Sequence, residues 1–282
     1  MEKNVTSAWK YYNHMILPNT EPKTEQESLT KEQTKALFRL YKKAFCIRYT
    51  TEFDKFESAA WWYCIKDSRF DINAVKSKRR CVINKGIRNF TVRCVDPREH
   101  IDDFYYLIND ANQGYDNPVT MTYEQAENKC VSLSTSSNSF VLGAFDADVG
   151  KLVGYLWCQA NGKCISLIEQ HCIREYERLE CNAALLNGLC EVYNDRYYEQ
   201  GYYLCDGERN IAHDTEFQAY LIKYFGFRYA YCRLHVVYRP CYRWCFRALF
   251  TWCKWLLPLI EKVTPSVTVQ INALKKMYDY AR

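Results

Sequence analysis

The chain has 282 residues, of which 48% are hydrophobic and 25% are charged, a composition that excludes a wholly disordered or fibrous protein. A chain of this length can bury enough surface to fold without disulfide bonds or metals. Its 38 Lys and Arg against 33 Asp and Glu give a net charge of +5, a mild basic excess that suits anionic partners without requiring nucleic acid.

The 15 cysteines indicate a reducing compartment rather than a disulfide scaffold. Residues 1–18 contain charges throughout and no apolar run of the length that a secretory signal needs. The cysteine count is odd, no C-x-x-C pair occurs, and most cysteines have apolar neighbours, as small buried hydrophobic residues do. The five histidines do not flank the cysteines at the spacing of zinc ligands, so we expect a cytoplasmic protein with no structural metal.

The N-terminal part predicts a linker, two helices and two strands. Residues 18–35 are polar and enter a helix that starts at a Thr30-x-x-Gln33 capping box. Aromatic strands are expected near 49–56 and 61–66. A basic helical stretch follows over 73–89, either as a solvated helix face or as a phosphate-binding surface. Its cations are Lys76, Lys78, Arg79, Arg80, Lys85 and Arg88.

From residue 90 onward the pattern predicts the order β-α-α-β-β-β-α-β-α-β. Apolar alternation and turn residues place strands at 90–95, 140–145, 152–159, 163–169, 202–205 and 229–238. Helices are expected from Pro97, over 123–133, over 180–200 with Gly201 as the terminating residue, and over 216–225.

This order resembles the GNAT superfamily of N-acyltransferases over residues 89–238, and a first local pattern supports the resemblance. In IREYERLECNAALL, the run Arg178-x-x-Cys181-x-Ala183 falls in register with the family turn whose backbone amides bind the pyrophosphate of an acyl-coenzyme A. Cys181 stands where the family has a glycine. The resemblance implies that the donor contacts Ile173, Arg178, Leu179, Glu180, Cys181, Asn182, Ala183 and Asn210.

A second pattern is the segment YYLCDGERNIAHDTEFQAYLIKYFGF. Asn210 and Phe225-Gly226-Phe227 occupy the places of the Asn and of the aromatic-Gly-Phe ending in the family. Ile222 stands where many members have a tyrosine that protonates the leaving group, and Tyr220 and Tyr224 flank it as substitutes. The run that ends at Gly226 and the basic helix also resemble the Fem-type branch, whose members transfer aminoacyl groups onto lipid-linked cell-wall precursors.

The loop Asp206-Gly-Glu208-Arg209-Asn210 follows an apolar strand and supplies candidate bases. It is either a turn-rich structural loop or a set of cleft carboxylates that can deprotonate an amine. Glu208 has the longer reach and is our first assignment, whereas Asp206 is expected to anchor the loop or orient Arg209. Asp206 and His213 are the alternative bases, and His213 is also explained as a surface histidine.

The tail over residues 240–258 predicts an amphipathic helix. Arg243, Arg247 and Lys254 fall on one narrow stripe, and Trp244, Trp252 and Trp255 lie on the remaining circumference with other apolar residues. Cations along the full length make a membrane span costly, so the pattern favours a helix in the membrane interface. The alternative is a helix docked on the apolar surface of its own domain.

These observations predict a mixed α/β protein with a GNAT-like central sheet flanked by helices at 89–239. An N-terminal extension over 1–88 and the helical tail over 240–282 complete the chain. The sheet should splay between the strand near 163–169 and the strand at 202–205, because the cosubstrate enters such a gap in the family. No metal is expected.

The expected function is N-acyl transfer of an acyl or aminoacyl group from a phosphopantetheine- or tRNA-type donor, acyl-CoA included, to an amine. An envelope glycan or a lipid-linked precursor is the candidate acceptor, met at the inner membrane face, and DNA is not an expected partner. The alternative is a non-catalytic, membrane-peripheral binding protein of the same fold.

Overall fold

The computed structural model describes residues 8–114, 118–210, 216–252 and 265–280. Within them lie ten strands, which follow the predicted order from residue 90 onward. They are β1 (Trp9–Tyr12), β2 (Met15–Pro18), β3 (Cys46–Phe56), β4 (Trp61–Lys66), β5 (Phe90–Val95), β6 (Ser139–Asp146), β7 (Leu152–Asn161), β8 (Cys164–Cys172), β9 (Tyr203–Glu208) and β10 (Arg228–Tyr238).

The α-helices of eight or more residues lie between and after these strands. They are α1 (Lys31–Leu40), α2 (Ser77–Asn89), α3 (Ile101–Asn112), α4 (Tyr123–Thr135), α5 (Cys181–Val192), α6 (Glu216–Phe225), α7 (Pro240–Arg247) and α8 (Pro265–Tyr280). The predicted capping box is present at the start of α1, where Thr30 accepts from the amide of Gln33 and the Gln33 side chain accepts from the amide of Thr30.

The chain forms two compact units. Each unit contains segments that are far apart in the sequence, so the unit limits do not coincide with the predicted ranges 1–88, 89–239 and 240–282. The central unit comprises Ile65–Gly207 and Phe217–Arg228. The terminal unit comprises Met1–Cys64, Glu208–Glu216 and Tyr229–Arg282. The basic helix α2 therefore shares a unit with strands β5 to β9.

In the central unit, strands β9, β8, β7, β6 and β5 are neighbours in that order. The pairs from β5 to β8 are antiparallel, whereas β8 and β9 are parallel. Helix α5 packs on these strands, and residues 183–190 of it are all buried. Contact with β5 is close enough that a Cβ on Gly188 would lie 2.5 Å from Val92 Cγ1, so only glycine fits there.

In the terminal unit, β1 and β2 form an antiparallel hairpin whose turn residues, Asn13 and His14, have positive φ angles of 44° and 61°. The hairpin lies beside β3, which pairs antiparallel with β10. One apolar cluster joins this hairpin to α1, and its buried members are Trp9, Ile16, Leu37, Phe38, Ala44, Ile47 and Tyr49.

The hairpin was missing from our sequence-based expectation, which made residues 1–18 part of an extension without assigned strands. Its two strands are only four residues long, so they carry too few alternating positions to register as a pattern. The predicted helix over 180–200 is also shorter than expected. The α-helix ends at Val192, and a π-helical and a 3₁₀ turn lead to Gly201, whose φ is 75°.

The tail docks part of its surface on the terminal unit. Phe250 is buried in a cluster with Cys46, Tyr238, Met277 and Tyr278, and Phe246 and Leu249 pack against it. Trp244 and Trp252 remain 62% and 58% exposed. One face of the tail is therefore docked on its own unit, as the second interpretation predicts. The indole rings of Trp244 and Trp252 take no part in this docking.

Lys254 and Trp255 lie outside the described residues. Within the described ranges, no helix has both the length and the apolar character needed to cross a bilayer.

The close contact of α2 with α5 gives a prediction about stability. A Cβ on Gly86 would lie 2.6 Å from the Glu180 carbonyl oxygen and 2.9 Å from the Ala184 amide nitrogen. Gly86→Ala should therefore destabilise the protein by about 2 kcal/mol, although alanine inside a helix is otherwise favoured by about 1 kcal/mol. Chemical denaturation measures the difference. The exposed Asn84→Ala in the same helix is the control, and equal stability of the two variants would contradict the packing.

Candidate functional site

A cleft opens where β8 and β9 part. The two strands pair only over three positions, from Cys164↔Tyr203 to Ser166↔Cys205, although both continue further. Leu167 and Asp206, the next residue on each strand, both line the cleft, whose volume is about 310 Å³. The predicted splay between these strands is thus present. The lining residues are Leu156, Leu167, Ile168, Glu169, Gln170, Asn182, Asp206 and Phe217.

A β-bulge in β8 turns consecutive residues of this strand toward the cleft. Trp157 of β7 pairs with Glu169 and the adjacent Cys158 pairs with Leu167, so Ile168 is an extra residue in β8. A bulge leaves its extra residue out of the hydrogen-bond ladder and re-aims the neighbouring side chains. As a result, four consecutive residues of β8 line the cleft instead of every second one.

Asp206 is the carboxylate on the β9 side of the cleft. Burial raises its pKa from 3.8 to about 7, against a hydrogen bond from Gln218 that lowers it. Half of such carboxyl groups are ionised near neutral pH, which is the condition in which a carboxylate exchanges protons with a substrate most effectively. Asp206 therefore has the environment of a general base.

Glu169 is the carboxylate on the β8 side, and its environment acts in the opposite direction. Burial alone would raise its pKa, but hydrogen bonds from His171 and Lys129 outweigh burial and hold it at about 2. Lys129 Nζ lies 2.6 Å from both carboxylate oxygens, and His171 Nε2 lies 2.8 Å from Oε1. Glu169 therefore remains ionised and its oxygens are engaged.

The turn before α5 only partly fits the predicted phosphate site. The amides of Leu179 and Glu180 donate to the carbonyls of Tyr176 and Glu177 within the turn itself. The first α-helical hydrogen bond is donated by Ala184, so the amides of residues 181–183 precede the helical pattern and are available for a ligand at the positive end of the helix dipole.

The other predicted contacts of this turn hold it in place. Ile173 is buried and its amide donates to the carbonyl of Val153, while Lys85 donates to the carbonyl of Arg178. Asn182 accepts a hydrogen bond from Gln170 at 2.8 Å and lines the cleft. Glu180 is the N-cap residue and has a φ of 68°.

Cys181 does not project toward a ligand. Its side chain is buried, and its Sγ would lie 2.7 Å from a Cβ on Gly154, so the missing side chain of Gly154 makes the space for it. The neighbouring Cys181 thiol and burial raise the pKa of Cys172, whose Sγ donates to the carbonyl of Ile173 at 3.4 Å. The departure from glycine at position 181 is therefore accommodated inside the unit, and Ala183 is buried as well.

The predicted acids lie on α6, next to the cleft-lining Phe217. The ring of Tyr220 stacks on that of Phe217 at 6.4 Å and lies 4.7 Å from that of Tyr224. Burial and the charge of Glu180 raise the pKa of Tyr220, so its hydroxyl remains protonated. Ile222, which lies between these two tyrosines in the sequence, is half-buried.

The basic helix α2 lies against the same turn of α5. Besides Lys85, Asn89 donates to the carbonyl of Leu179, and Gly86 approaches Glu180 and Ala184. Arg79 donates to the carbonyl of Lys223 at the end of α6. Three more cations of the stretch are exposed, and they are Lys76, Lys78 and Arg88.

Glu208 belongs to the terminal unit and has two strong partners there. Arg48 donates to Oε1, and Trp61 Nε1 donates to Oε2 at 3.1 Å. Burial raises the pKa of Glu208, and Arg48 and Trp61 oppose that rise. Asn210 lies in the same unit, and His213 is outside the described residues. Asp206, Asn182 and Tyr220 therefore all belong to the central unit. Glu208 and Asn210 belong to the terminal unit.

Several cleft residues were absent from the sequence-based list, namely Leu156, Leu167, Ile168, Glu169, Gln170 and Phe217. Glu169 and His171 are two residues apart in a strand, and this spacing is a signal that they share a face. The bulge at Ile168 has no sequence signal, so the participation of Gln170 could not be inferred. Among the described residues, no group of three His, Cys, Asp or Glu side chains is placed to hold a metal ion.

No protein-family model and no curated protein matches this chain. Among solved structures, the C-terminal DUF2156 domain of a protein described as a lysylphosphatidylglycerol synthetase from Agrobacterium fabrum superposes with a TM-score of 0.50 at 12% identity, covering 83% of this chain and 80% of that chain. L-PGS from Bacillus licheniformis gives a TM-score of 0.47 at 14% identity over 82% of this chain and 79% of that chain. FemX gives 0.47 at 12% identity over 71% and 75%.

At 12% identity, the similarity to the DUF2156 domain bears on the fold alone, and the predicted mixed α/β fold with a central sheet flanked by helices is confirmed.

The environment of Asp206 predicts a pH-dependent stability. An unfolded chain ionises this carboxyl near 3.8, whereas the folded chain does so near 7, so folding loses free energy as the pH rises through this interval. Asp206→Asn should melt at a higher temperature than the wild type well above pH 7, and the difference should shrink toward pH 3.8. Thermal denaturation across pH measures it. The exposed Asp148→Asn is the control, and a difference independent of pH would contradict the assignment.

Proposed function

We propose that the central unit is an acyltransferase that moves an acyl or aminoacyl group from a phosphate-bearing donor to an amine. The observation that carries this proposal is the pair of carboxylates in one cleft, with pKa values of about 7 for Asp206 and about 2 for Glu169. Environments that separate the pKa values of two neighbouring acids are typical of catalytic sites in which the two groups have different tasks.

Asp206 is the proposed base. An amine must be neutral to attack the carbonyl carbon of the donor, so an ammonium ion first gives up one proton to water. Asp206 accepts the second proton from the attacking nitrogen while the new C–N bond forms, and the bond from the carbonyl carbon to the leaving oxygen or sulfur breaks. Proton transfer by a positioned side chain contributes about 10²–10⁴-fold to the rate.

Glu169 is proposed to hold charge rather than to move a proton. Its carboxylate is held by Lys129 and His171, and a base whose pKa is about 2 has almost no affinity for a proton at neutral pH. The Lys129 ammonium balances this charge at 2.6 Å, so Glu169 fixes the positions of Lys129 and His171 on the cleft wall. The two carboxylates therefore have different tasks, and Asp206 is the one that takes a proton.

The bulge in β8 supplies a candidate group for the carbonyl oxygen of the donor. Ile168 is the extra residue of the bulge, so its amide is outside the regular ladder. A backbone amide aimed at the oxygen on which negative charge develops is the common means of stabilising acyl-transfer intermediates. We assign this role to the bulge segment of β8.

The donor is proposed to bind with its phosphates at the start of α5. The amides of residues 181–183 precede the first helical hydrogen bond, and α2 places Lys85 beside them. Six cations over 76–88 extend this positive surface along a helix of 13 residues. A surface of this length exceeds what one pyrophosphate requires, and it favours a tRNA-type donor over coenzyme A.

Tyr220 is the proposed acid for the leaving group. It is half-buried beside Phe217 of the cleft, and its raised pKa keeps the phenol protonated. Tyr224 is the second candidate, since its ring lies 4.7 Å from that of Tyr220. Either phenol can return a proton to the oxygen or sulfur that departs, which completes the transfer.

The acceptor is proposed to be a lipid-linked or envelope-glycan amine that the protein meets at a membrane surface. Trp244 and Trp252 are exposed on the tail, and Arg243 and Arg247 lie beside them in α7. Exposed indole rings next to cations are typical of segments that lie in the membrane interface. The protein would then act as a peripheral membrane enzyme.

The two assignments of the base predict different kinetic results. Asp206→Asn should lower kcat at least about tenfold while the affinity for the donor is retained, because the lost proton transfer occurs only during the reaction. Glu208→Gln should leave kcat nearly unchanged, because both oxygens of Glu208 are engaged by Arg48 and Trp61. Steady-state kinetics with aminoacyl-tRNA or acyl-CoA and an amine acceptor measure both variants.

The reverse pattern would return the assignment to Glu208. If the wild type binds the donor saturably but transfers no acyl group to any of several amine acceptors, the result would instead favour a non-catalytic binding protein.

Exposed tryptophans of the tail give a separate prediction. Trp244→Ser with Trp252→Ser should reduce the fraction of protein that sediments with membranes, because two interfacial side chains are lost. Deletion of the tail is unsuitable, since it would remove Phe250, Met277 and Tyr278 from the core of the terminal unit. Val149→Ser, which removes an exposed apolar side chain of the central unit, serves as the control. Equal membrane fractions of wild type and double variant would exclude the role of the indole rings.

A further inference from the structure

Two cavities of the terminal unit adjoin at Pro240. The first has a volume of about 430 Å³ and is lined by Lys35, Phe38, Arg39, Lys42, Arg239 and Pro240. The second has a volume of about 320 Å³ and is lined by Tyr238, Pro240, Arg243, Trp244 and Arg247. Six cations, which we call the cationic rim, line the two cavities, and among the described lining residues there is no Asp or Glu. They are Lys35, Arg39, Lys42, Arg239, Arg243 and Arg247.

The cationic rim comes from two separate segments, residues 35–42 and 239–247, that the fold brings together. Lys35 and Arg39 are one helical turn apart in α1, Lys42 follows that helix, and Arg243 and Arg247 are one turn apart in α7. Like charges at this spacing repel each other and destabilise a helix. An anion bound between them would remove this repulsion.

Helix termini explain three of the six cations of the rim. Cations near the end of a helix are favoured by its dipole, which accounts for Arg39 and Lys42 at the end of α1 and for Arg247 in the last turn of α7. Lys35 lies further inside α1, and Arg243 lies in the first half of α7, where the dipole disfavours a cation. Glu32 of α1 is one turn before Lys35 and does not line either cavity.

Arg239 fixes the geometry between the two cavities. Its guanidinium donates to the carbonyls of Phe38, Tyr41 and Ala44 at 3.0–3.1 Å and lies 4.8 Å from the centre of the Phe38 ring. These acceptors are neutral, so they hold the side chain without cancelling its charge. The positive charge at the junction is therefore held in a preorganised position.

Apolar and aromatic side chains share the two cavities with the cationic rim. Phe38 and Pro240 line the first cavity, and Tyr238, Pro240 and Trp244 line the second. Trp244 is 62% exposed, so apolar surface that solvent reaches adjoins the cations.

We propose that these adjoining cavities bind the phosphate group of an anionic phospholipid and thereby dock the terminal unit on a membrane surface of negative charge. Phosphate oxygens fit the cationic rim, while Phe38, Pro240 and the exposed Trp244 offer apolar surface to the lipid chains. This inference adds selection for charged lipid to the membrane contact of the tail, and it does not depend on the transferase reaction.

The test compares the full chain on phosphatidylcholine vesicles with and without phosphatidylglycerol, by co-sedimentation. Lys35→Gln, Arg39→Gln and Lys42→Gln together should lower the affinity for the charged vesicles by at least about tenfold, since each basic residue near an anionic surface contributes about fivefold. The affinity for neutral vesicles should not change. The matched control replaces three exposed cations of the central unit by glutamine, namely Lys151, Lys163 and Arg196.

Equal losses in the two triple variants would overturn the proposal, because they would show a response to net charge alone. No preference of the wild type for phosphatidylglycerol would overturn it as well. Inorganic phosphate or glycerol phosphate that displaces the protein from vesicles would identify a soluble anion as the ligand, and a lipid-independent change of oligomeric state in the rim variant would identify a second copy of the chain. Either result overturns the lipid assignment.

Discussion

The parting of β8 from β9 after three paired positions is the constraint on which the proposed chemistry depends. Parallel strands normally continue to pair along their shared length, so two strands that separate leave an opening lined by the residues just beyond the last pair. On β9 that residue is Asp206, and on β8 the bulge presents residues 167–170. The start of α5 provides Asn182 at the same opening. The separation of these two strands therefore places all of these side chains around one cleft.

Burial in this opening has opposite consequences for its two carboxylates. Both groups lose hydration, which favours the neutral acid. Glu169 regains the stabilisation of its charge from Lys129 and His171, whereas Asp206 has only Gln218 in compensation. One position therefore keeps a permanent charge and the other can exchange a proton near neutral pH. This difference arises from neighbours that are contributed by α4, β8 and α6, not from the acids themselves.

The two compact units present different surfaces to anions. In the central unit, the cations of α2 lie against the turn that precedes α5, where a phosphate-bearing donor would place its charge. In the terminal unit, the cationic rim surrounds two cavities next to exposed tryptophan side chains. A net charge of +5 is small for the whole chain, yet its cations are concentrated at these places. Local concentration, more than net charge, determines which anions a surface attracts.

Local patterns in the sequence determined most of the elements, because capping, alternation and turn residues act over a few positions. Examples are the capping box at Thr30, the strand Phe90–Val95 and the helix Glu216–Phe225, all of which lie where the sequence predicted. The tertiary structure decided which carboxylate enters the cleft. Glu208 pairs with Arg48, which is 160 residues away, and Glu169 bonds to Lys129, which is 40 residues away. These distant pairs and the bulge at Ile168 depend on packing between elements. A local pattern in a single sequence does not indicate how distant elements pack.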